Sequence, residues 1–206
     1  MKKIAVFASG RGSDFFAVLE QVKQGKIAAE VVCVISDHAR PPVFDIAREN
    51  NIPTHRVNRK QFSAAVDYAE YLLKLLRSYQ TDMILLAGYL KLIPAPIVEY
   101  YRNAIINIHP ALLPNFGGKG FYGEKVHQAV VESGVKITGV TIHFVDEHYD
   151  QGTVIIQEKV DVIPGDTPKT LGKRVLAVEH RLLPEVVRAY CAGNIQMVDG
   201  KVVWSR

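Results

Sequence analysis

Apolar residues follow two rhythms along the first hundred positions of this chain. Unbroken apolar runs fill 4–8, 31–35 and 83–87, and 104–108 is apolar but for Asn107, the pattern of strands buried on both faces. Between them apolar residues recur every three or four positions, as Phe15, Phe16, Leu19 and Val22 do, which marks a helix with one buried stripe. Helices are predicted over 13–23, 42–50, 62–79 and 94–101, and one more strand over 52–57. In the third helix Ala65, Tyr68, Tyr71, Leu72, Leu75 and Leu76 supply the stripe and read as core. Pro94 opens the fourth helix, where a missing N–H costs nothing. Strands alternating with helices predict a parallel, doubly wound sheet with right-handed crossovers.

After Pro114 the texture changes. Positions 115–120 form a glycine-rich loop, 123–133 a helix, and 137–145 and 154–162 two long β-rich runs. The acidic segment 146–152 between those runs ends in glycine and reads as a turn. A helix over 167–192 opens with Asp166, Thr167 and Pro168, a capping residue followed by proline. The end, 196–198, Asp199-Gly200 and 201–204, reads as a hairpin with a two-residue turn. The expected fold class is α/β: a doubly wound, mostly parallel central sheet with a C-terminal β-rich extension and hairpin. With no repeat, linker or low-complexity tract, 1–206 reads as one domain.

Composition narrows the function. The chain has 206 residues, 48% hydrophobic and 22% charged, an ordinary balance for a packed globular chain. The net charge of +4 comes from scattered basic residues, which suits steering of small anions and not a nucleic-acid footprint. Cys33 and Cys191 are far apart and outside any CxxC, so neither a disulfide framework nor a zinc site is expected. The apolar start is too short for a signal peptide and reads as the first strand. No stretch approaches a membrane span. The expected compartment is the cytoplasm.

Two segments carry candidate chemistry. Ser9-Gly10-Arg11-Gly12-Ser13-Asp14 joins the first strand to the first helix. Glycines let backbone approach a ligand, and a helix N-terminus offers free N–H groups and the positive end of a dipole. Phe15 stands where a dinucleotide fingerprint has its third glycine, and no Gly-Lys-Ser/Thr follows. A single phosphate therefore fits better than a pyrophosphate, and a plain strand-to-helix turn is the alternative. The second segment is the end of the fifth strand, where Asn107 and His109 lie two apart and project from one face. If the acidic turn folds over that strand end, Asp150 would hold His109 protonated. Asn107 and His109 would then form a donor pair for an oxyanion; otherwise they satisfy a polar strand end. No serine or cysteine stands with them as nucleophile, which favours direct acyl transfer to an external amine. His143 faces the same site or packs, and His127 and His180 on helices read as structural or exposed. No HxH or HxxxH pair suggests a metal.

The motif Asn107-Ile108-His109-Pro110, then Leu112-Leu113-Pro114, then His143 within 139–145, then Asp150, resembles the folate-dependent formyltransferases. The resemblance runs from Ser9-Gly10 to Glu179-His180. It implies a Rossmann-like one-carbon transferase of purine biosynthesis. The co-substrate would be 10-formyltetrahydrofolate, the acceptor the amine of glycinamide ribonucleotide, with no metal. Asn107, His109 and Asp150 match the catalytic trio. Gly12, Ser13 and Asp14 fall where the ribose phosphate binds, and Glu179 falls near the substrate amine. Leu90, Lys91, Leu92 and Ile93 fall along the folate pocket. The loop from Asp146 to Asp150 would grip the pterin through backbone groups, and Asn107 would touch the folate as well. The first half, 1–109, would hold phosphate, and 110–206 would supply the folate side and the catalytic loop. A monomer or a homodimer is implied.

Three positions depart from the family pattern. Asp14 stands where asparagine is common. Ala64 and Ala65 stand where an arginine is common, with Arg59 or Lys60 as replacements. Positions 117–123 carry a variant loop containing Lys119. The rival readings are a hydrolase that releases formate from the same folate, a transfer-RNA formyltransferase, and a non-catalytic phosphate-binding module.

Overall fold

The computed structural model describes residues 1–205. Five strands run parallel: β1 (Lys2–Phe7), β2 (Ala29–Ser36), β3 (Thr54–Arg56), β4 (Met83–Leu86) and β5 (Ile105–His109). The β-rich runs of the second half, β6 (Ile137–Phe144) and β7 (Val154–Asp161), join the same sheet antiparallel. The order across it is β3-β2-β1-β4-β5-β6-β7. The expected extension is thus the far edge of the central sheet, reached because β5 pairs directly with β6.

Side chains alternate across each strand, so the apolar runs feed two cores. From β1, Ile4 and Val6 pack on one face with Phe15 and Leu19 of α1 (Ser13–Lys23). α2 (Val43–Glu49), α5 (Glu124–Ser133) and α6 (Pro168–Cys191) cover the same face. Ala5 and Phe7 pack on the other face with Tyr68 and Leu72 of α3 (Ala65–Ser78) and Ile97 of α4 (Ala95–Tyr100). Helices on both faces make the sheet doubly wound. The hairpin of β8 (Ile195–Val198) and β9 (Lys201–Trp204) forms a second, two-stranded sheet that packs on the α6 side through Ile195. Among the described residues no helix is long and apolar enough to cross a membrane.

Two elements are shorter than the pattern predicts. The third strand covers only Thr54–Arg56 because Pro53 has no N–H to give; its carbonyl still accepts from Val34. α3 begins at Ala65, where the Asp67 carboxylate caps the N–H of Ala64 at 3.1 Å. Tyr68 and Leu72 are buried as expected, but Ala65 and Tyr71 face solvent.

The chain reverses direction in the sheet between β1 and β4, the neighbours that start its two halves. In an open α/β sheet ligands bind outside the carboxyl ends of the strands at this switch point. The loop after β1, the segment after β4 and the end of β5 all lie there.

Candidate active site

The loop after β1 enters α1 through Gly12, whose φ of +76° is left-handed. A side chain there would also collide with Val43 at the start of α2. The first N–H groups of α1 have no carbonyl within the helix to bond. Ser9 ties this loop to its neighbours: its hydroxyl donates to Asp37 at 2.6 Å and accepts from the N–H of Leu90 at 3.0 Å. Lys91 Nζ lies 3.7 Å from the same buried Asp37. The segment that follows β4 is thereby held beside the helix N-terminus.

At the end of β5, Asn107 pairs across the sheet with His143 of β6. The turn between β6 and β7 then brings Asp150 over both. Asp150 sits at φ +56°, and a Cβ on Gly152 would strike the Phe144 carbonyl, so the turn must be tight there. Tyr149 anchors it by accepting the N–H of Leu92 at 3.0 Å. Asp150 lies 3.6 Å from His109 Nδ1 and 3.7 Å from His143 Nε2. It also accepts the N–H of Gly118 at 2.8 Å and a longer contact of 3.4 Å from the Asn107 amide. The trio expected from the sequence is brought together, and His143 makes it a quartet.

The hydrogen bonds assign the protons. His143 Nδ1 faces the Phe144 carbonyl at 2.8 Å and must donate to it. In the neutral ring its Nε2 then accepts from the Asn107 amide nitrogen at 3.0 Å. That fixes the amide orientation, and both its N–H groups are engaged, one only through the weak contact to Asp150. His109 Nε2 donates to the Phe116 carbonyl at 2.8 Å. Burial pulls the His109 ring below its ordinary pKa, although the Asp150 charge and the Phe116 carbonyl push the other way. Burial thus opposes the protonation that the carboxylate beside His109 favours. The Phe116 carbonyl places a proton on His109 Nε2. Burial pushes the Asp150 acid up, but the two histidine rings and the Gly118 N–H outweigh it and hold the carboxyl below its usual range. Asp150 is the charged member.

These groups line one cavity of about 1050 Å³. Gly12, Ser13, Asp14, Leu90, Lys91, Asn107, His109, Asp150 and Glu179 all reach it. Leu92, Ile93 and Asp146 do not. Ile93 is buried in the core beside Ile97, and Leu92 presents its side chain to solvent. Asp146 folds back to accept the N–H of His148 at 2.8 Å and lines a smaller cavity behind the turn. Arg59 and Lys60 are also absent from the wall, and Arg59 instead donates to the Phe62 carbonyl. The Asp14 side chain turns toward α6, with Oδ1 3.7 Å from His180 Nε2. Any anion at the loop would therefore meet the Asp14 backbone N–H and not its carboxylate.

Sequence reasoning missed several contributors. The Phe116 carbonyl and the Gly118 N–H act through backbone, which no side-chain pattern announces. No sequence pattern singles out Asp37, just past the end of β2. His127 is buried, as a structural residue would be, and its ring also borders the cavity with no partner for Nδ1. Gly172 on α6 is the sequence signal for it, since a Cβ there would press on the ring at 2.9 Å.

Comparison with known proteins points to one family. The formyl transferase family matches residues 2–187. The chloroplastic phosphoribosylglycinamide formyltransferase of Arabidopsis thaliana is 47% identical over 197 residues, covering 95% of this chain and 67% of that protein. The corresponding protein of Vigna unguiculata is 42% identical over 205 residues, covering 100% of this chain and 64% of its own length. The chain thus spans about two thirds of these plant relatives. Among solved structures, glycinamide ribonucleotide transformylase 1 from Symbiobacterium toebii superimposes with a TM-score of 0.92 at 34% identity, covering 100% of this chain and 95% of that one.

Proposed function

The chain belongs to the formyltransferase family, and from that premise we propose that it transfers the formyl group of 10-formyltetrahydrofolate to the primary amine of glycinamide ribonucleotide. It does so as one domain over 1–206 in the cytoplasm. The observation that carries this reading is the meeting of Asn107, His109 and Asp150 at a cavity that also receives the N-terminus of α1. The cavity of about 1050 Å³ exceeds the roughly 300–1,000 Å³ typical for one drug-sized ligand, which suits two substrates held together. The free N–H groups of Gly12, Ser13 and Asp14 take the ribose phosphate, and Leu90 and Lys91 border the folate.

The neutral amine attacks the formyl carbon. Negative charge grows on the formyl oxygen, which takes the His109 Nε2–H in place of the Phe116 carbonyl. The Asn107 N–H now spent on the 3.4 Å contact with Asp150 turns to the same oxygen. Both donors are placed before charge develops, so they stabilise the transition state more than the ground state. Asp150, already ionised, accepts the proton that the amine loses and passes it, through water, to the leaving nitrogen of the folate.

The test is a formyl-transfer assay with and without glycinamide ribonucleotide. Deformylation of the folate only in the presence of the amine, with formyl recovered on the product, supports the reading. Formate release at the same rate without the amine overturns it in favour of a hydrolase. No turnover of the folate in either arm overturns it in favour of a binding module.

A further inference from the structure

One buried acid stands behind the cavity wall and has no part in the steps above. Asp37 follows β2 and is 6% exposed. The Ser9 hydroxyl donates to its Oδ1 at 2.6 Å, His38 Nδ1 donates to the same oxygen at 3.1 Å, and Lys91 Nζ stands 3.7 Å from Oδ2. The Asp37 carbonyl accepts from the Asn58 amide at 2.8 Å. A buried carboxylate is tolerated when donors replace the water it gives up. Here the partners come from elsewhere in the fold, so Asp37 joins the segments that follow β1, β2, β3 and β4.

Ser9 stands between two regions given to different substrates. Its hydroxyl donates to Asp37 and accepts the Leu90 N–H at 3.0 Å, and its own N–H donates to the Gly88 carbonyl at 3.0 Å. The loop that leads to Gly12, Ser13 and Asp14 is therefore bonded to the segment that carries Leu90 and Lys91. Lys91 adds a charged link from that segment to the same acid. Gly10 and Gly88 flank the contact, and a Cβ on either would meet nothing within 4 Å. Packing leaves these segments room, and hydrogen bonds fix their place. A chain of such bonds that ends on a carboxylate strengthens each member, so a shift at Ser9 is felt at Leu90.

We propose that Asp37 is a positioning residue that couples the two substrates: through Ser9 and Lys91 it makes the loop after β1 and the segment after β4 order together. Binding of either substrate then fixes both segments, and the second substrate meets a site whose ordering cost is already met. The coupling is reciprocal, since each ligand must change the other's affinity by the same factor. The inference rests on the formyl-transfer reading and names how its two ligands sense each other.

The experiment is calorimetric titration of the full chain with glycinamide ribonucleotide, alone and with saturating tetrahydrofolate, which carries no formyl group and so cannot react. The wild type should bind the ribonucleotide at least about fivefold more tightly with tetrahydrofolate present, the lower end of usual coupling. The reverse titration should give the same factor. Ser9→Ala breaks the chain at Leu90, and the factor should fall close to one. Asp37→Asn still accepts from Ser9 but loses the charge beside Lys91, and the factor should fall part of the way. In both variants KM for each substrate should rise alike, with kcat at saturation nearly unchanged. A wild-type factor of one or less overturns the inference without needing any variant to fold. A factor kept in full by either variant overturns it too, and leaves Asp37 a structural residue only. In both cases the formyl-transfer reading stands. Failure of the ribonucleotide or of tetrahydrofolate to bind the wild type at all overturns both.

Discussion

Replacing Asp150 with asparagine removes one charge and almost nothing else. The residue holds φ +56°, a conformation that asparagine tolerates and alanine does not, so Asp150→Asn is the informative change. The new side chain can still accept the Gly118 N–H now bonded at 2.8 Å. What is lost is the carboxylate 3.6 Å from His109 Nδ1. At an effective dielectric constant of about 20, unit charges at that distance attract by roughly 4.6 kcal/mol, an upper bound for its help to a ring gaining positive character. Losing a proton acceptor costs about 100- to 10,000-fold in other enzymes. The two routes agree on a fall in kcat of about a thousandfold. A spectrophotometric assay of folate deformylation with saturating glycinamide ribonucleotide reads it directly. The melting temperature should change little. The Asp150 acid is depressed in the folded chain, so its stabilising effect is present above the unfolded carboxylate pKa of about 3.9 and is lost as pH falls through the lower folded value. Any stability gap between wild type and variant should therefore close in acid. A variant that keeps its fold and turns over within fivefold of wild type would refute the role given to Asp150.

Further outcomes follow from other positions. His109→Ala should cut turnover by at least about 100-fold, the price of one preorganised donor, and near-normal turnover would contradict its assignment. Gly12→Ala forces a side chain into the left-handed region and against Val43, so KM for the acceptor should rise while KM for the folate stays put; equal rises in both would deny the loop a phosphate role. Glu179 is an acid raised by burial, so its contribution is complete below the unfolded pKa of about 4.3 and is lost as pH rises toward the folded value. Glu179→Gln should then gain thermal stability relative to wild type between pH 5 and 8, to be read by melting scans. A constant difference across that range would count against the buried-acid assignment.

Much of the fold was legible because buried strands announce themselves. The runs ending in Phe7 and Leu86 are continuous and apolar, and the run into His109 is apolar but for its two site residues, so no other element accommodates them as well. The edges were less legible. Pro53 shortens β3, and one hydrogen bond from Ala64 to Asp67 moves the start of α3, which are local effects that outweigh periodicity. The direction of β6 and β7 was not readable, since alternation says which faces are buried and not which way a neighbour runs. In the site, Asn107 and His109 were legible as a pair two apart on one strand. Asp150 needed the assumption that its turn folds back over β5. His180 and Asp14 lie 166 positions apart and meet only where α1 crosses α6. Spacing reveals the carboxylate beside His109 but not the burial that opposes its charge.

The most direct measurement is a crystal structure of the enzyme with glycinamide ribonucleotide and a folate analogue that cannot give up its one-carbon unit. The amine and the folate nitrogen should meet between His109 and Asp150, with the analogue's carbonyl oxygen within about 3 Å of His109 Nε2 and the Phe116 carbonyl displaced from it. Ligands seated elsewhere in the cavity, with His109 still bonded to Phe116, would contradict the account.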